Sequence, residues 1–599
     1  MKRIEKTIKI AVIEAINNLY NAEVPENQIS VQKTRKEFIG DFTVVVFPFL
    51  RFSKKSPDAT AEELGNYLKT NLAEIEKFNV IKGFLNVSLS HKYWLSFFKE
   101  INSDKNYGLI PKSENSKKVV LEYSSPNTNK PLHLGHIRNN LLGWSVAKII
   151  EANGDTAIKV NLVNDRGIHI CKSMFAWQEL AQGKTPEDAK MKGDHFVGDY
   201  YVAFDKEYKK QISELTEKGI SEKEAKKEAK WMKEAGEMLK EWEQGDAKIR
   251  NLWKTMNDWV YKGFDETYKK LGIEFDKIYY ESETYLKGKD VILNALKKGI
   301  LQQKEDGTVF IDLTKEGLDE KVLLRSDGTA LYMTQDIGTA IIRHNDFNFD
   351  EAAYVVGNEQ DYHFKVLRIV LEKLGYNWAK NISHISYGMV ELPDGKMKSR
   401  EGTVVDADDL IREMIQTARD KSAELGKLEG FSEEEKSEIF RKIALGALKY
   451  FILKVDAKKN MTFNPDESID FNGNTGPFIQ YTYVRVQSML LKAKEQGINN
   501  SDTSYAFESF ENQEVSLLNL LYDFEDVVTE AGEKRNPSVI ANYVYELAKE
   551  YNRFYHEIPP ILKEENRDLK MFRLQISAKT ADVIKTSLDL MGIEVPERM

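Results

Sequence analysis

The chain has 599 residues, 30% of them charged and 41% apolar, with a formal net charge of −9. That is enough chain for several hydrophobic cores, and no run of about 18 apolar residues offers a membrane span. The acid excess argues against indiscriminate nucleic-acid binding, while local basic strips could still act at a contact.

The start, Met1-Lys-Arg-Ile-Glu-Lys, runs into an amphipathic helical pattern with acidic residues and lacks the apolar core of a signal peptide. Residues 1–110 read as a compact α/β unit. Helical periodicity covers 4–19 and a strand covers 43–47. A helix over 59–72 is introduced by Ser56-Pro57-Asp58, an alternating strand follows at 83–89, and a helix over 93–101 closes the unit. Phe84 and Asn86 stand one strand period apart and so face one way. An aromatic plate beside an amide suits an unstacked base; Phe84 reads equally well as core.

The next stretch carries the strongest signal. Val119, Val120 and Leu121 read as a buried strand, and a turn-forming segment follows from Ser124 to Pro131. His133-Leu-Gly-His136 then runs into Ile137, Leu141, Leu142, Val146 and Ile149 at helical spacing. Helix amino termini suit phosphate, and Gly135 removes the Cβ that would hold a nucleotide off the backbone. His133 and His136, three residues apart, are expected on one helix face, donating to the same triphosphate. Four residues are a weak pattern that two satisfied surface histidines would also explain. The chain holds only nine histidines, however, and Ser124-Ser-Pro-Asn and Lys130 precede these two. A second strand, 159–163, ends in Asn164-Asp-Arg-Gly167. Strand, helix, strand is the beginning of a doubly wound sheet, with ligands at the carboxyl ends of its strands. No G-x-x-x-x-G-K is present.

Cys171, the one cysteine, lies in an apolar-periodic stretch and is expected to be an inert buried thiol in a reducing cytosol; no zinc spacing occurs. Residues 183–263 are Lys/Glu-rich and helical, an insertion with solvated faces. Tyr332 and Asp336 stand four apart at a helix start, and 353–363 is a strand running into Gln360, Asp361 and His363. Residues 393–405 are a glycine-flanked cationic stretch containing Lys396, Met397 and Lys398. From 465 onward the pattern is mostly helical.

Read together, Ser124 to Arg138 resembles the HIGH signature of class I aminoacyl-tRNA synthetases in its arginyl form. Residues 393–405 resemble the second signature, KMSKS, with Lys398 and Ser399 in reversed order. Lys130 occupies the place of the lysine that substitutes for that loop in arginyl enzymes. Residues 469–485 and the ending 590–599 resemble the entry and the end of the family's anticodon-binding bundle. The resemblance implies a multidomain α/β protein: a class I Rossmann-type catalytic domain over 111–464, containing the 183–263 insertion, an amino-terminal α/β domain over 1–110 that touches the tRNA elbow, and an all-α anticodon-binding bundle over 465–599.

It also implies the ligands and their residues. Catalysis falls to Lys130, His133, His136, Lys396 and Lys398, and ATP binding to His133, Gly135, His136, Lys396, Met397 and Lys398. Arginine falls to Glu122, Asn127, Glu281, Tyr332, Asp336 and Gln360, and tRNA to Phe84, Asn86, Tyr555 and Met599. A guanidinium is planar and always charged, so it demands carboxylates. Magnesium is expected with ATP and without a dedicated protein site. The expected partners are tRNA(Arg), arginine and ATP, with no membrane, for a cytoplasmic monomer. A small-molecule nucleotidyltransferase would share H-x-G-H but lack the flanking domains; a regulator descended from a synthetase would keep the domains and lose the histidines.

Overall fold

The computed structural model describes residues 4–35, 37–393, 405–424, 430–498 and 505–598. Lys396, Met397, Lys398 and Met599 lie outside the described residues. The chain forms two compact units. One combines residues 1–107, 485–525 and 546–584, and the other combines 108–484, 526–545 and 585–599.

In the first unit, strands β1 (Val31–Lys33), β2 (Phe42–Val45), β3 (Ile75–Ile81) and β4 (Phe84–Leu89) make an antiparallel sheet in the order β1-β2-β4-β3. Lys82 and Gly83 join β3 to β4 with φ of 51° and 77°. Two left-handed residues match the twist of a two-residue hairpin, which favours glycine at the second. The strand expected at 43–47 ends at Val45, and a 3-10 turn, Phe47–Phe49, follows. Helix Pro57–Asn71 is capped by Ser56, whose side chain accepts from Ala59 N. Tyr522 packs its ring 5.3 Å from that of Phe97 and donates to Glu5 Oε2 at 2.6 Å, so the carboxyl-terminal helical part shares this unit's core.

In the second unit, β5 (Lys118–Glu122), β6 (Thr156–Val163) and β7 (Lys277–Tyr280) precede a small antiparallel sheet of β8 (Gln302–Gln303), β9 (Val309–Ile311) and β10 (Lys321–Leu324). Strands β11 (Glu351–Gly357) and β12 (Ile382–Tyr387) then complete a parallel sheet in the order β12-β11-β5-β6-β7. Among the described residues, β13 (Val390–Glu391) and β14 (Met461–Thr462) form a further short parallel pair. Within the five-stranded sheet the chain runs outward one way from β5 to β7, then returns to the other side of β5 with β11. The point of reversal lies between β5 and β11, where doubly wound sheets bind ligands. Val119, Val120 and Leu121 are all buried, as expected of a strand covered on both faces. Helix Leu134–Ala152 covers the sheet and begins at that reversal.

The insertion departs from a purely solvated reading. Its helices, Gly193–Glu217, Lys230–Gln244 and Ala247–Leu271, bury Phe204, Trp231 and Trp242 among themselves and their neighbours. Trp231 stands 5.4 Å from both Phe175 and Phe204, and Trp242 stands 5.4 Å from Trp253. Charge density along these helices describes their outer faces; the aromatic residues at helical spacing supply a core of their own. Cys171 is buried, and burial pushes its thiol up to about 12, which leaves it unreactive. Among the described residues, no helix is long and apolar enough to cross a membrane.

Candidate active site

The turn after β5 is stitched from several sides. Ser124 and Ser125 both take left-handed backbone, φ 77° and 46°, an uncommon state for residues with a Cβ. Ser124 N donates to Asn139 Oδ1 at 2.5 Å and Ser125 N to Asn161 Oδ1 at 3.0 Å. Asn139 Nδ2 donates in turn to Val355 O at 2.7 Å, which ties the turn to β11. These bonds offset the strain and fix where the following residues point.

His133 does not share a helix face with His136, as the spacing suggests. It is the cap residue before the helix, in extended backbone at φ −135°, ψ 175°. Its Nδ1 accepts from Gly135 N at 3.1 Å, while His136 Nδ1 accepts from His133 N at 3.2 Å. Two histidines thus make the reciprocal cap that Ser and Glu usually make. With each Nδ1 accepting, a neutral ring carries its proton on Nε2 and remains a donor there. Burial, then the nearby Lys130 charge, lowers His133 to about 4; burial, His133 and Lys130 hold His136 well below the usual imidazole range. Burial also lowers Lys130. The ring centroids lie 3.9 Å apart. A Cβ on Gly135 would fall 3.0 Å from His133 Cε1 and 3.1 Å from Nδ1, so the glycine makes room for the capping ring.

The carboxyl ends of the other strands are acidic. Glu281 opens helix Glu281–Lys297 directly after β7, and its carboxyl rises to about 7. Burial is the main cause; Arg166, 3.9 Å away, opposes it, and the carboxylates of Asp165 and Asp336 add to it. Asp165, just past β6, is buried and accepts from Ser282 N at 2.8 Å, Ser282 Oγ at 2.7 Å and Tyr261 Oη at 3.0 Å. Arg166 lies over the Tyr285 ring, 3.9 Å from its centre, and pairs with Glu243 at 2.8 Å. Asp336 Oδ2 meets His363 Nε2 at 2.6 Å. Gln360 ends the 3-10 turn that follows β11.

Other expected residues sit differently. Glu122 is buried and paired with Arg343, which is itself 1% exposed, and Ser125 Oγ donates to Glu122 Oε1 at 2.9 Å. Glu122 therefore already has a guanidinium partner from within the chain. Tyr332 is 79% exposed at the first residue of helix Tyr332–Phe347. Asn127 is exposed, and its backbone bridges to Asn164. Sequence reasoning did not single out Asp165 and Arg166, although they follow a strand at its ligand-binding end. Arg343 carried no signal, because a cation at an inward helical position looks like any other helix residue until its partner strand is in place.

In the first unit, Asn86 is buried at 1% exposure. Its Oδ1 accepts from Thr43 Oγ1 at 2.6 Å and its Nδ2 donates to Asn79 Oδ1 at 3.1 Å. Strand period alone put its amide beside Phe84 for a base; the neighbouring strands have engaged it. Phe84 is half-buried, edge-on to Phe47 at 5.4 Å. Tyr555 is 36% exposed, with the Arg485 guanidinium 5.3 Å from its ring centre.

A reversing parallel sheet with a histidine-capped helix at its switch point is the architecture of a class I synthetase catalytic domain, and the family model described as "tRNA synthetases class I (R), catalytic domain" matches residues 99–465. Two further models match, "Arginyl tRNA synthetase N terminal domain" over 4–89 and "DALR anticodon binding domain" over 479–599. The chain is 58% identical to an arginine–tRNA ligase of Bacteroides fragilis over 597 residues, covering 100% of both chains. It is also 58% identical over 597 residues to an arginine–tRNA ligase of Bacteroides thetaiotaomicron, again covering 100% of both. The chain belongs to the arginyl-tRNA synthetase family. Its fold is similar to that of the solved Thermus thermophilus arginyl-tRNA synthetase, with a TM-score of 0.74 at 24% identity and 100% of each chain covered.

Proposed function

We infer that the chain is an arginine–tRNA ligase, which activates L-arginine with ATP and transfers the arginyl group to the 3′ end of tRNA(Arg). The observation that carries the residue-level reading is the division of charge along the carboxyl edge of the sheet. Neutral donors and Lys130 gather at the start of helix Leu134–Ala152, and carboxylates gather behind β6 and β7. The first set suits a triphosphate and the second the positive charges of arginine.

In this reading the arginine carboxylate attacks the α-phosphate in line, a reaction that needs positioning and charge stabilisation more than covalent help from the protein. His133 and His136 donate through Nε2 to the phosphate oxygens, and Gly135 lets the nucleotide approach the backbone. Lys130, with Lys396 and Lys398 of the second signature, meets the charge developing on pyrophosphate, and Met397 contributes to ATP binding. Magnesium arrives with ATP as part of the substrate. Asp336 and Tyr332 hold the guanidinium end, while Glu281, Gln360, Asn127 and Glu122 surround the remainder. For Glu122 the pairing with Arg343 supports a charge-setting role. Phe84 offers a ring to the tRNA elbow with Asn86 as its buried support, and Tyr555 and Met599 serve the anticodon loop. The functional division in this reading is 1–110, 111–464 and 465–599, in a cytoplasmic monomer.

ATP–pyrophosphate exchange with each amino acid in turn, with and without tRNA, tests the reading. Exchange specific to arginine supports it. Exchange with another amino acid, or none under any condition, refutes it.

A further inference from the structure

The insertion meets the nucleotide domain at a cluster that this chemistry does not use. Asp408, near the start of helix Ala407–Glu424, is 6% exposed. Its Oδ2 accepts from Lys192 Nζ at 2.6 Å and Thr267 Oγ1 at 3.1 Å and faces His195 Nε2 at 3.2 Å, while its Oδ1 accepts from Lys270 Nζ at 2.9 Å. Asp406 Oδ2 lies 3.6 Å from the same His195 nitrogen. Asp194 takes a bond from Lys192 Nζ at 3.1 Å, and its Oδ1 is buried without a hydrogen-bond partner. Three carboxylates therefore face two ammonium groups, and a protonated His195 evens the charge. Asp194, His195 and Asp408 stand close enough to hold a metal ion, but the two lysines already satisfy Asp408.

The same segment reaches the active site. Leu134 N donates to Val405 O at 2.9 Å and Ala407 N donates to Leu132 O at 3.0 Å, forming an antiparallel bridge between His133 and Asp406. Asp406 Oδ1 also accepts from Asp408 N at 2.9 Å. The backbone of His133 is thus held by a segment whose own place is set two residues later.

We propose that Asp408 and His195 are positioning residues for the nucleotide site: the clasp on Asp408 fixes residues 405–408, and the bridge from that segment holds His133 where its Nε2 proton can meet the phosphates. The inference rests on the assignment of His133 to ATP. Burial alone would lower the His195 pKa, but the hydrogen bond to Asp408 and the charges of Asp406 and Asp194 outweigh burial and the Lys192 charge and raise it. The charge on His195 is therefore fully present below the ordinary imidazole range and fades as pH rises through the raised value, which loosens the clasp on the alkaline side.

The test is ATP–pyrophosphate exchange by the full-length enzyme with tRNA present, for wild type, H195F, H195Q, D408N, H133A and the double variant H133A/H195F, between about pH 6 and 9. A misplacement on the order of 1 Å at a reacting group can cost up to about 10²-fold, so H195F and D408N should lower kcat at least about tenfold and leave the KM for arginine unchanged. H195Q keeps a donor towards Asp408; it should recover most of kcat near neutrality and lack the alkaline decline due to His195. H195F should add nothing in the H133A background, because its effect passes through His133. Wild-type kcat in H195F at every pH overturns the inference, even if D408N proves unstable. An equal loss in both backgrounds also overturns it, since His195 would then act elsewhere. Full activity in H133A alone removes the phosphate reading and this inference with it, a result distinct from failure of the clasp.

Discussion

Glu281 gives the sharpest prediction, because its environment favours one protonation state and the expected substrate favours the other. Its carboxyl stands at about 7 against an ordinary 4.5, with the side chain 15% exposed. That rise corresponds to about 3 kcal/mol at 1.36 kcal/mol per tenfold change. The folded state prefers the protonated acid, so the stability it supports is fully present below about pH 4.5 and lost as pH rises through about 7. Glu281→Gln, neutral throughout, should match wild type near pH 5 and exceed it by about 2–3 kcal/mol near pH 8 without arginine. Arginine inverts the preference. The arginine α-ammonium beside Glu281 selects the carboxylate and releases the proton, so wild-type affinity should rise about tenfold per pH unit below 7 and level off above it. Glu281→Gln should flatten that dependence and bind arginine more weakly above pH 7. Isothermal titration of arginine into the tRNA complex, repeated in two buffers of different ionisation enthalpy, counts the protons released; thermal melts of the free enzyme read the stability. An affinity for arginine that is flat across this range with no proton release, or a Glu281→Gln enzyme less stable than wild type near pH 8, would refute the reasoning.

Four further outcomes follow from the same geometry. His133→Ala and His136→Ala should each reduce adenylate formation about 10²–10³-fold. Because both rings cap the helix, each should also lower stability by about 0.5–2 kcal/mol, read by melting. Asp336→Asn should weaken arginine by about 2–5 kcal/mol while sparing ATP; equal loss for both ligands in equilibrium binding would make Asp336 a partner of His363 and nothing more. Arg343→Met leaves Glu122 buried and unpaired, and denaturant unfolding should show about 3–5 kcal/mol of lost stability. Tyr555→Ala should raise the KM for whole tRNA by an amount matching about 1–3 kcal/mol of stacking and leave charging of an acceptor-stem minihelix untouched.

What the sequence determined by itself was whatever depends on near neighbours in the chain. The buried run Val119-Val-Leu, the turn chemistry of Ser124 to Pro131 and the apolar period from Ile137 onward specify strand, turn and helix through local backbone preference and burial, and the structure keeps all three. The same holds for the Ser56-Pro57 helix start and for the aromatic spacing that gives the insertion its core, although counting charges there hid the core. Tertiary structure alone decided which polar groups are spoken for. His133 and His136 have the spacing of a shared helix face, yet their Nδ1 atoms are committed to capping and only the Nε2 side is left for a ligand. Asn86 has the spacing of a base-reading amide, yet Thr43 and Asn79 engage it. Glu122 meets Arg343 across 221 residues, and Asp408 meets His195 across 213. The physical reason is one of range. Periodicity records which face of an element is apolar, but a hydrogen bond or an ion pair needs two atoms brought within about 3 Å, and chain folding sets that distance between residues whose separation in sequence carries no trace of it.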